Sequence, residues 1–142
     1  MRALLDINVL IALLDASHLH HERARQWLSE DIAHGWASCP ITQNGCVRIL
    51  AQPNYPQPVS INEAMERLRR ATATPHHTFW ADTVSLLDAK AVDQRRVHGS
   101  KQITDIYLLS LAVSHGGRFV SFDAGVARSA VPAARSEHLF IL

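Results

Sequence analysis

The chain has 142 residues, which is the length of one ordinary domain, and we expect a single domain over residues 1–142. Hydrophobic residues make up 47% and charged residues 19%, a balance that excludes an intrinsically disordered chain. The formal net charge of +1 argues against binding of nucleic acid through a generally positive surface. It does not exclude a local basic groove.

Membrane and disulfide signals are weak in this sequence. No apolar run reaches the roughly 18 to 20 residues that span a bilayer, and the acidic Asp6 interrupts the N-terminal apolar run, which is therefore a poor signal peptide. Cys39 and Cys46 form neither a zinc-binding pattern nor a disulfide framework. We therefore expect a cytoplasmic protein with no membrane association.

Short apolar strands alternate with helices from the N-terminus onward. Residues 3–5 predict a strand, and residues 9–14 predict an apolar helix. Residues 22–32 have the apolar spacing of an amphipathic helix. Residues 36–39 predict a second strand, and Pro40 suits the first turn of the helix that follows it.

The middle of the chain contains one helix with a clear start signal. Ser60 and Glu63 form a capping-box pattern, which predicts a helix that extends to about Ala71. Residues 77–80 indicate a strand, and residues 86–92 indicate a weak helix.

The last third of the sequence repeats the strand and helix pattern. Thr104 is expected to cap an apolar helix over residues 105–115, which Gly116 ends through a left-handed C-cap. Residues 118–122 and 139–142 predict two further strands. Strands that alternate with helices indicate a three-layer α/β/α fold around a central parallel sheet of four to five strands.

Polar residues follow the ends of these strands, where open α/β sheets bind ligands. Asp6 follows the first strand, Asp123 follows the strand at residues 118–122, and Asp105 lies at the start of the apolar helix. Gln43 lies in the first turn of the helix after the second strand. Three carboxylates that converge repel one another unless a cation lies between them, and oxygen ligands favour Mg²⁺ or Mn²⁺. Such an ion can supply a water nucleophile for hydrolysis of a phosphodiester.

Each of these acids also has a purely structural interpretation. An Asp after a strand commonly caps the next helix, and Asp105 could serve only to stabilise the start of its helix. The shared placement of Asp6, Asp105 and Asp123 at strand and helix ends favours the functional interpretation for the set.

Four segments in this order resemble the PIN-domain family of metal-dependent ribonucleases, and within it the VapC-type toxins of bacterial toxin–antitoxin pairs. The segments are Leu5-Asp6-Ile7-Asn8-Val9-Leu10, Thr42-Gln43-Asn44-Gly45, Ile103-Thr104-Asp105 before an apolar helix, and Ser121-Phe122-Asp123. The resemblance covers essentially the whole chain. It implies that Asp6, Asp105 and Asp123 bind the metal and that Asn8 and Thr104 are polar supports of the site.

The chain departs from the family pattern at Gln43, where a fourth acid, a Glu, is usual. An amide oxygen can bind a metal or position a water, but it carries no negative charge. We therefore expect weaker metal binding and a single ion rather than two. The resemblance also implies a partner, a small antitoxin whose C-terminal segment covers the active-site groove, and assembly as a homodimer.

A basic stretch precedes the apolar helix and is a candidate contact for the RNA backbone. It contains Arg95, Arg96, His98 and Lys101. The histidine-rich segment at residues 17–21 completes no zinc site and is interpreted as a solvated loop.

The leading hypothesis is a metal-dependent endoribonuclease that acts as a toxin and leaves 5′-phosphate and 3′-hydroxyl ends. One alternative is a Mg²⁺-dependent phosphate-transferring α/β domain, which the sequence disfavours because Asp6-Ile7-Asn8 lacks a second Asp. The other is a catalytically weakened module that binds RNA or antitoxin, which the presence of Gln43 makes reasonable. The sequence does not identify the target RNA.

Overall fold

The computed structural model describes residues 1–142, which fold around a five-stranded parallel sheet. The spatial order β3-β2-β1-β4-β5 places β1 at the centre, and the order reverses between β1 and β4. The strands are β1 (Ala3–Leu5), β2 (Trp36–Ser38), β3 (His77–Phe79), β4 (Arg118–Ser121) and β5 (Leu139–Ile141).

Five α-helices connect the strands and cover both faces of the sheet, so the predicted α/β/α architecture with a parallel sheet is confirmed. They are α1 (Ile7–Leu14), α2 (His21–Asp31), α3 (Pro40–Leu50), α4 (Ile61–Thr72) and α5 (Ile103–Ser114). None of these helices is both long and apolar enough to cross a bilayer.

The side chains of the central strands alternate between two apolar cores. Leu4 and Phe119 point to the face that α5 covers, and both are fully buried. Leu5 and Val120 point to the opposite face, where they pack with residues of α1, α3 and α4. Because both faces of the sheet are covered, all three residues of β1 and the central residues Phe119 and Val120 of β4 are apolar and fully buried.

Local signals in the sequence set several helix ends as predicted. Ser60 Oγ accepts a hydrogen bond of 3.0 Å from the backbone N–H of Glu63, and Pro40 is the first residue of α3. Gly116 has a φ of 65°, and the N–H of Gly117 donates to the carbonyl of Ala112 at 2.9 Å. These bonds satisfy backbone groups that a helix end otherwise leaves unpaired.

Two local predictions are wrong. Residues 86–92 form turns rather than a weak helix. Ser85 Oγ accepts the N–H of Leu87 at 3.1 Å, and Asp88 Oδ1 accepts the N–H of Lys90 at 2.9 Å. Such short polar side chains compete with helical hydrogen bonds for backbone N–H groups. At these two positions the N–H groups bond to the side chains, so turns form in place of a helix.

The second correction concerns Thr104, which does not cap α5. A short 3₁₀ helix at Ser100–Gln102 runs directly into α5, so the helix begins at Ile103 and Thr104 is exposed in its first turn. The 3₁₀ turn already pairs the N–H of Gln102 with the carbonyl of Gly99 at 3.1 Å. The start of α5 therefore needs no hydroxyl cap at this position.

Candidate active site

The reversal of strand order between β1 and β4 creates a crevice at the carboxyl ends of these strands. Asp6 follows β1 directly, and its N–H donates to the carbonyl of Val120 in β4 at 2.9 Å. Asp123 follows β4 after one intervening residue. The parallel register thus places the two carboxylates on the two sides of the crevice.

Asp6 is held rigidly at the start of α1. Its side chain is 5% exposed, and Oδ1 accepts the N–H of Ile7 at 2.7 Å as the helix cap. Oδ2 accepts the hydroxyl of Ser121 at 2.7 Å. Burial raises the pKa of Asp6, and the nearby charge of Asp123 adds to that shift, whereas the two hydrogen bonds oppose it. The structural and the functional interpretations of Asp6 are therefore compatible.

Ser121 joins the two strand ends, and the sequence analysis gave it no role. Its fully buried Oγ donates to Asp6 and accepts the N–H of Asp123 at 3.0 Å. Asp123 itself is exposed, and its Oδ1 accepts the N–H of Gly125 at 2.7 Å. The sequence carries no local signal for this role, because Ser121 meets Asp6 only through the pairing of β4 with β1.

Asp105 approaches the same crevice from the first turn of α5. It is half-buried and no side-chain hydrogen bond compensates its charge. Burial raises the pKa of Asp105 to about 6, and the negative charges of Asp6 and Asp123 contribute further to the shift. The three predicted carboxylates therefore share one electrostatic environment, and none of them forms an ion pair with a basic side chain.

The side chains of the predicted supports, Asn8 and Thr104, form no hydrogen bond with these carboxylates. Asn8 is exposed one residue into α1, two positions after Asp6, and Thr104 is exposed beside Asp105. No group of three His, Cys, Asp or Glu side chains in the chain is already spaced to hold a metal ion.

The side chain of Gln43 bonds to strand β2 and to none of the three carboxylates. Its Nε2 donates to Ser38 Oγ at 3.0 Å, and Ser38 Oγ is also 2.8 Å from Nε2 of His77. The same side chain lines a cavity of about 220 Å³ between α3 and α4, together with Leu68. The structure thus does not bring Gln43 into the carboxylate cluster.

The basic stretch before α5 is partly neutralised. Arg95 forms two hydrogen bonds to Asp93, at 3.0 and 3.1 Å, and Nε of Arg96 lies 3.5 Å from the same carboxylate. Lys101 is exposed in the 3₁₀ turn directly before α5 and forms no ion pair. Lys101 is therefore the free cation of this stretch on the side of the crevice.

The arrangement of three uncompensated carboxylates at a strand-order reversal can be compared with known proteins. A family model described as the PIN domain matches residues 3–131. The chain belongs to the PIN-domain family. Within it, the chain groups with VapC proteins, since it is 58% identical over 142 residues, the full length of both, to ribonuclease VapC44 of Mycobacterium tuberculosis. It is 43% identical to ribonuclease VapC39 of the same species over 132 residues, which is 92% of this chain and 94% of VapC39.

Two solved structures of other proteins share the fold of this chain. VapBC2 from Rickettsia felis, bound to a DNA fragment from its promoter, matches with a TM-score of 0.63 at 10% identity, covering 100% of this chain and 98% of that chain. The Mycobacterium tuberculosis toxin VapC20, which cleaves the sarcin–ricin loop, matches with a TM-score of 0.61 at 11% identity, covering 94% and 98%. The fold prediction and the family resemblance are thus both confirmed.

Proposed function

We propose that this PIN domain is a metal-dependent endoribonuclease that acts as the toxin of a toxin–antitoxin pair. The observation that carries the proposal is the convergence of Asp6, Asp105 and Asp123 at the strand-order reversal with no basic partner. The 58% identity to ribonuclease VapC44 over the full chain supports the reaction class. The phosphate-transferring alternative has no comparable support.

The donor set fits a hard divalent cation, either Mg²⁺ or Mn²⁺. Carboxylate oxygens are the ligands that these ions prefer, and Mg²⁺ keeps several waters and needs only one or two protein carboxylates. Burial, and after it the negative charges of Asp6 and Asp123, raise the pKa of Asp105 to about 6, and a bound cation would offset both effects. When bound, such an ion lowers the pKa of a water molecule and stabilises charge on a phosphodiester.

The three carboxylates have different surroundings, which indicate different roles in the site. Asp6 and Ser121 form the rigid base of the crevice, because each carboxylate oxygen of Asp6 already accepts a hydrogen bond. Asp105 has no such bond and is the carboxylate most available to a ligand. Asp123 stands exposed on the outer side, where it faces the path of an incoming polymer.

The test is cleavage of RNA with Mg²⁺ or Mn²⁺ by the wild type, by Asp6→Asn and by the surface control Asp88→Asn. Wild type and Asp88→Asn should cleave, whereas Asp6→Asn and EDTA-treated protein should be at least about 100-fold slower, because loss of a group that only orients a metal ligand already costs roughly 10- to 100-fold. Products should carry 5′-phosphate ends. Equal activity of Asp6→Asn and the wild type would contradict the proposal, and a wild type with no activity would favour a weakened binding module.

The antitoxin partner and the homodimer belong to the same proposal. The structural likeness to VapBC2 of Rickettsia felis supports a protein partner at this fold. Co-expression with the neighbouring small reading frame should give a stable complex that suppresses RNA cleavage. Light scattering of the free chain should give twice the mass of one chain, and a monomer at micromolar concentration would contradict the dimer.

A further inference from the structure

Two arginines, Arg95 and Arg96, pair with the carboxylate of Asp93 on the flank of the layer that contains α5, and a third, Arg128, lines the cavity beside it. Arg95 and Arg96 lie in one short 3₁₀ helix, and Arg128 begins another. The N–H of Asp93 donates to the carbonyl of Ala130 at 2.8 Å, which joins the two segments. Together they border a surface cavity of about 380 Å³.

The charge around this cavity is not balanced. Asp93 is bonded twice to Arg95, at 3.0 and 3.1 Å, while Nε of Arg96 is 3.5 Å away from it. Arg128 is exposed and forms no ion pair or side-chain hydrogen bond within the chain. One carboxylate thus pairs with both Arg95 and Arg96, and Arg128 has no acidic partner, so the positive charges of the three arginines exceed the negative charge beside them.

The lining of the cavity suits a phosphate group. Arg96, Arg128 and the hydroxyl-bearing Ser129 supply donors, and Val131 and Pro132 supply an apolar wall. Arginine presents a planar set of donors that matches phosphate oxygens in pairs. The lining therefore has donors for an anion, and its single carboxylate is already occupied by arginine.

The cavity is connected to the candidate active site by a short piece of chain. Arg128 follows Asp123 by five residues in sequence, so their Cα atoms are at most about 18 Å apart. A polymer bound at the crevice can cover that distance with a few nucleotides.

We propose that Arg96 and Arg128 bind a backbone phosphate of single-stranded RNA, a few nucleotides away from the bond positioned at Asp6, Asp105 and Asp123. The identity of the ligand as substrate RNA rests on the proposed ribonuclease function. The cavity, its hydrogen-bond donors and its excess positive charge are present whether or not the protein is a ribonuclease.

The experiment measures binding rather than cleavage. A fluorescent 12-nucleotide single-stranded RNA is titrated with the full chain in EDTA, and anisotropy is followed over a range of salt concentrations. Arg128→Gln should weaken binding roughly fivefold at low salt and reduce the slope of log K against log salt by about 0.7, the contribution of one phosphate contact in a single strand. Arg128→Lys should restore most of the slope.

Two further variants sharpen the test. Arg23→Gln removes an exposed arginine of α2 that forms no ion pair, and it should leave affinity and slope unchanged. Asp93→Asn releases Arg95 and Arg96 and should strengthen binding by a similar factor. Thermal unfolding curves confirm that all variants are folded.

The outcomes separate this proposal from the proposed function. If the wild type cleaves no RNA and Arg128→Gln still lowers the salt slope, the phosphate site stands without the enzymatic activity. If the wild type cleaves RNA and Arg128→Gln matches Arg23→Gln in affinity and slope, the proposal is overturned. Tight binding of inorganic phosphate that Arg128→Gln abolishes, with RNA binding unchanged, would assign the site to the free ion and overturn it as well.

Discussion

Asp105 is held in the crevice at the cost of burying its charge and of repulsion from its acidic neighbours, and the substitution Asp105→Asn should therefore stabilise the fold while it impairs the site. Asn has nearly the same shape as Asp. The Asp105 side chain accepts no hydrogen bond that the amide would lose. The variant thus removes one charge from the cluster and changes little else.

The size of the effect follows from the pKa of Asp105, which rises from 3.8 to about 6 on folding. Taken at face value, that shift corresponds to about 3 kcal/mol of destabilisation at neutral pH. Because the side chain is half-exposed, solvent screens the charge, and we expect about 1 kcal/mol. For a chain of this length, about 1 kcal/mol raises Tm by about 3 °C.

The pH dependence has a definite sign. The folded state binds the proton of Asp105 more tightly than the unfolded state, so the wild type loses stability as pH rises from about 4 to about 6. Above that range the full penalty is present. Asp105→Asn should therefore match the wild type near pH 4 and exceed it at pH 7.5.

Urea unfolding in EDTA at pH 4 and at pH 7.5 measures the difference, with Asp88→Asn as the control for loss of a surface charge. Addition of Mg²⁺ at pH 7.5 should then stabilise the wild type and leave Asp105→Asn nearly unchanged, because a ligand stabilises only the state that binds it. Refutation would come from a variant that is no more stable than the wild type at pH 7.5. A gain of equal size at pH 4 would refute the electrostatic reasoning too.

Three other substitutions test separate contacts. Ser121→Ala leaves the buried Oδ2 of Asp6 without its donor and should cost about 1–3 kcal/mol in urea unfolding and lower RNA cleavage; unchanged stability would contradict the role of the hydroxyl. Gly45→Ala places a Cβ 2.4 Å from Cδ1 and 2.9 Å from Cγ1 of Ile7 and should cost about 1–3 kcal/mol in the same assay; unchanged stability would show that the Ile7 side chain turns aside and would contradict tight packing of α1 on α3. Gln43→Glu should leave Mg²⁺ affinity in calorimetry unchanged, because the Ser38 hydroxyl, which now accepts from Gln43, can instead donate to a carboxylate there and hold it away from the cluster; a tighter Mg²⁺ site would disprove this orientation.

The sequence alone was enough to predict those structural features that depend only on neighbouring residues. Apolar periodicity predicted the alternation of strands and helices, and the cap at Ser60 and the left-handed Gly116 are determined within one helical turn. The placement of Asp6 and Asp123 also followed, because the end of a strand in a parallel sheet determines where the next side chain lies.

What the sequence did not predict depends on distant residues or on competing local bonds. The role of Ser121 needs the pairing of β1 with β4, which lie more than 100 residues apart. The orientation of Gln43 depends on Ser38 in the sheet, and no periodicity reports that contact. Residues 86–92 have helical composition, but Ser85 and Asp88 capture backbone N–H groups in turns.

The hydrogen bond between Ser121 and Asp6 has a consequence for the timing of activity. Contacts of such large sequence separation form late, because a long loop must close before they are gained. At about 5–20 residues per second, ribosomal synthesis needs roughly 6–25 seconds to pass from Asp6 to Asp123. A growing chain therefore presents first Asp6 and then Asp105 without Asp123, and the complete carboxylate set exists only after β4 has been made and has docked beside β1. Truncated translation products that end before β4 should accordingly be harmless to the cell that makes them.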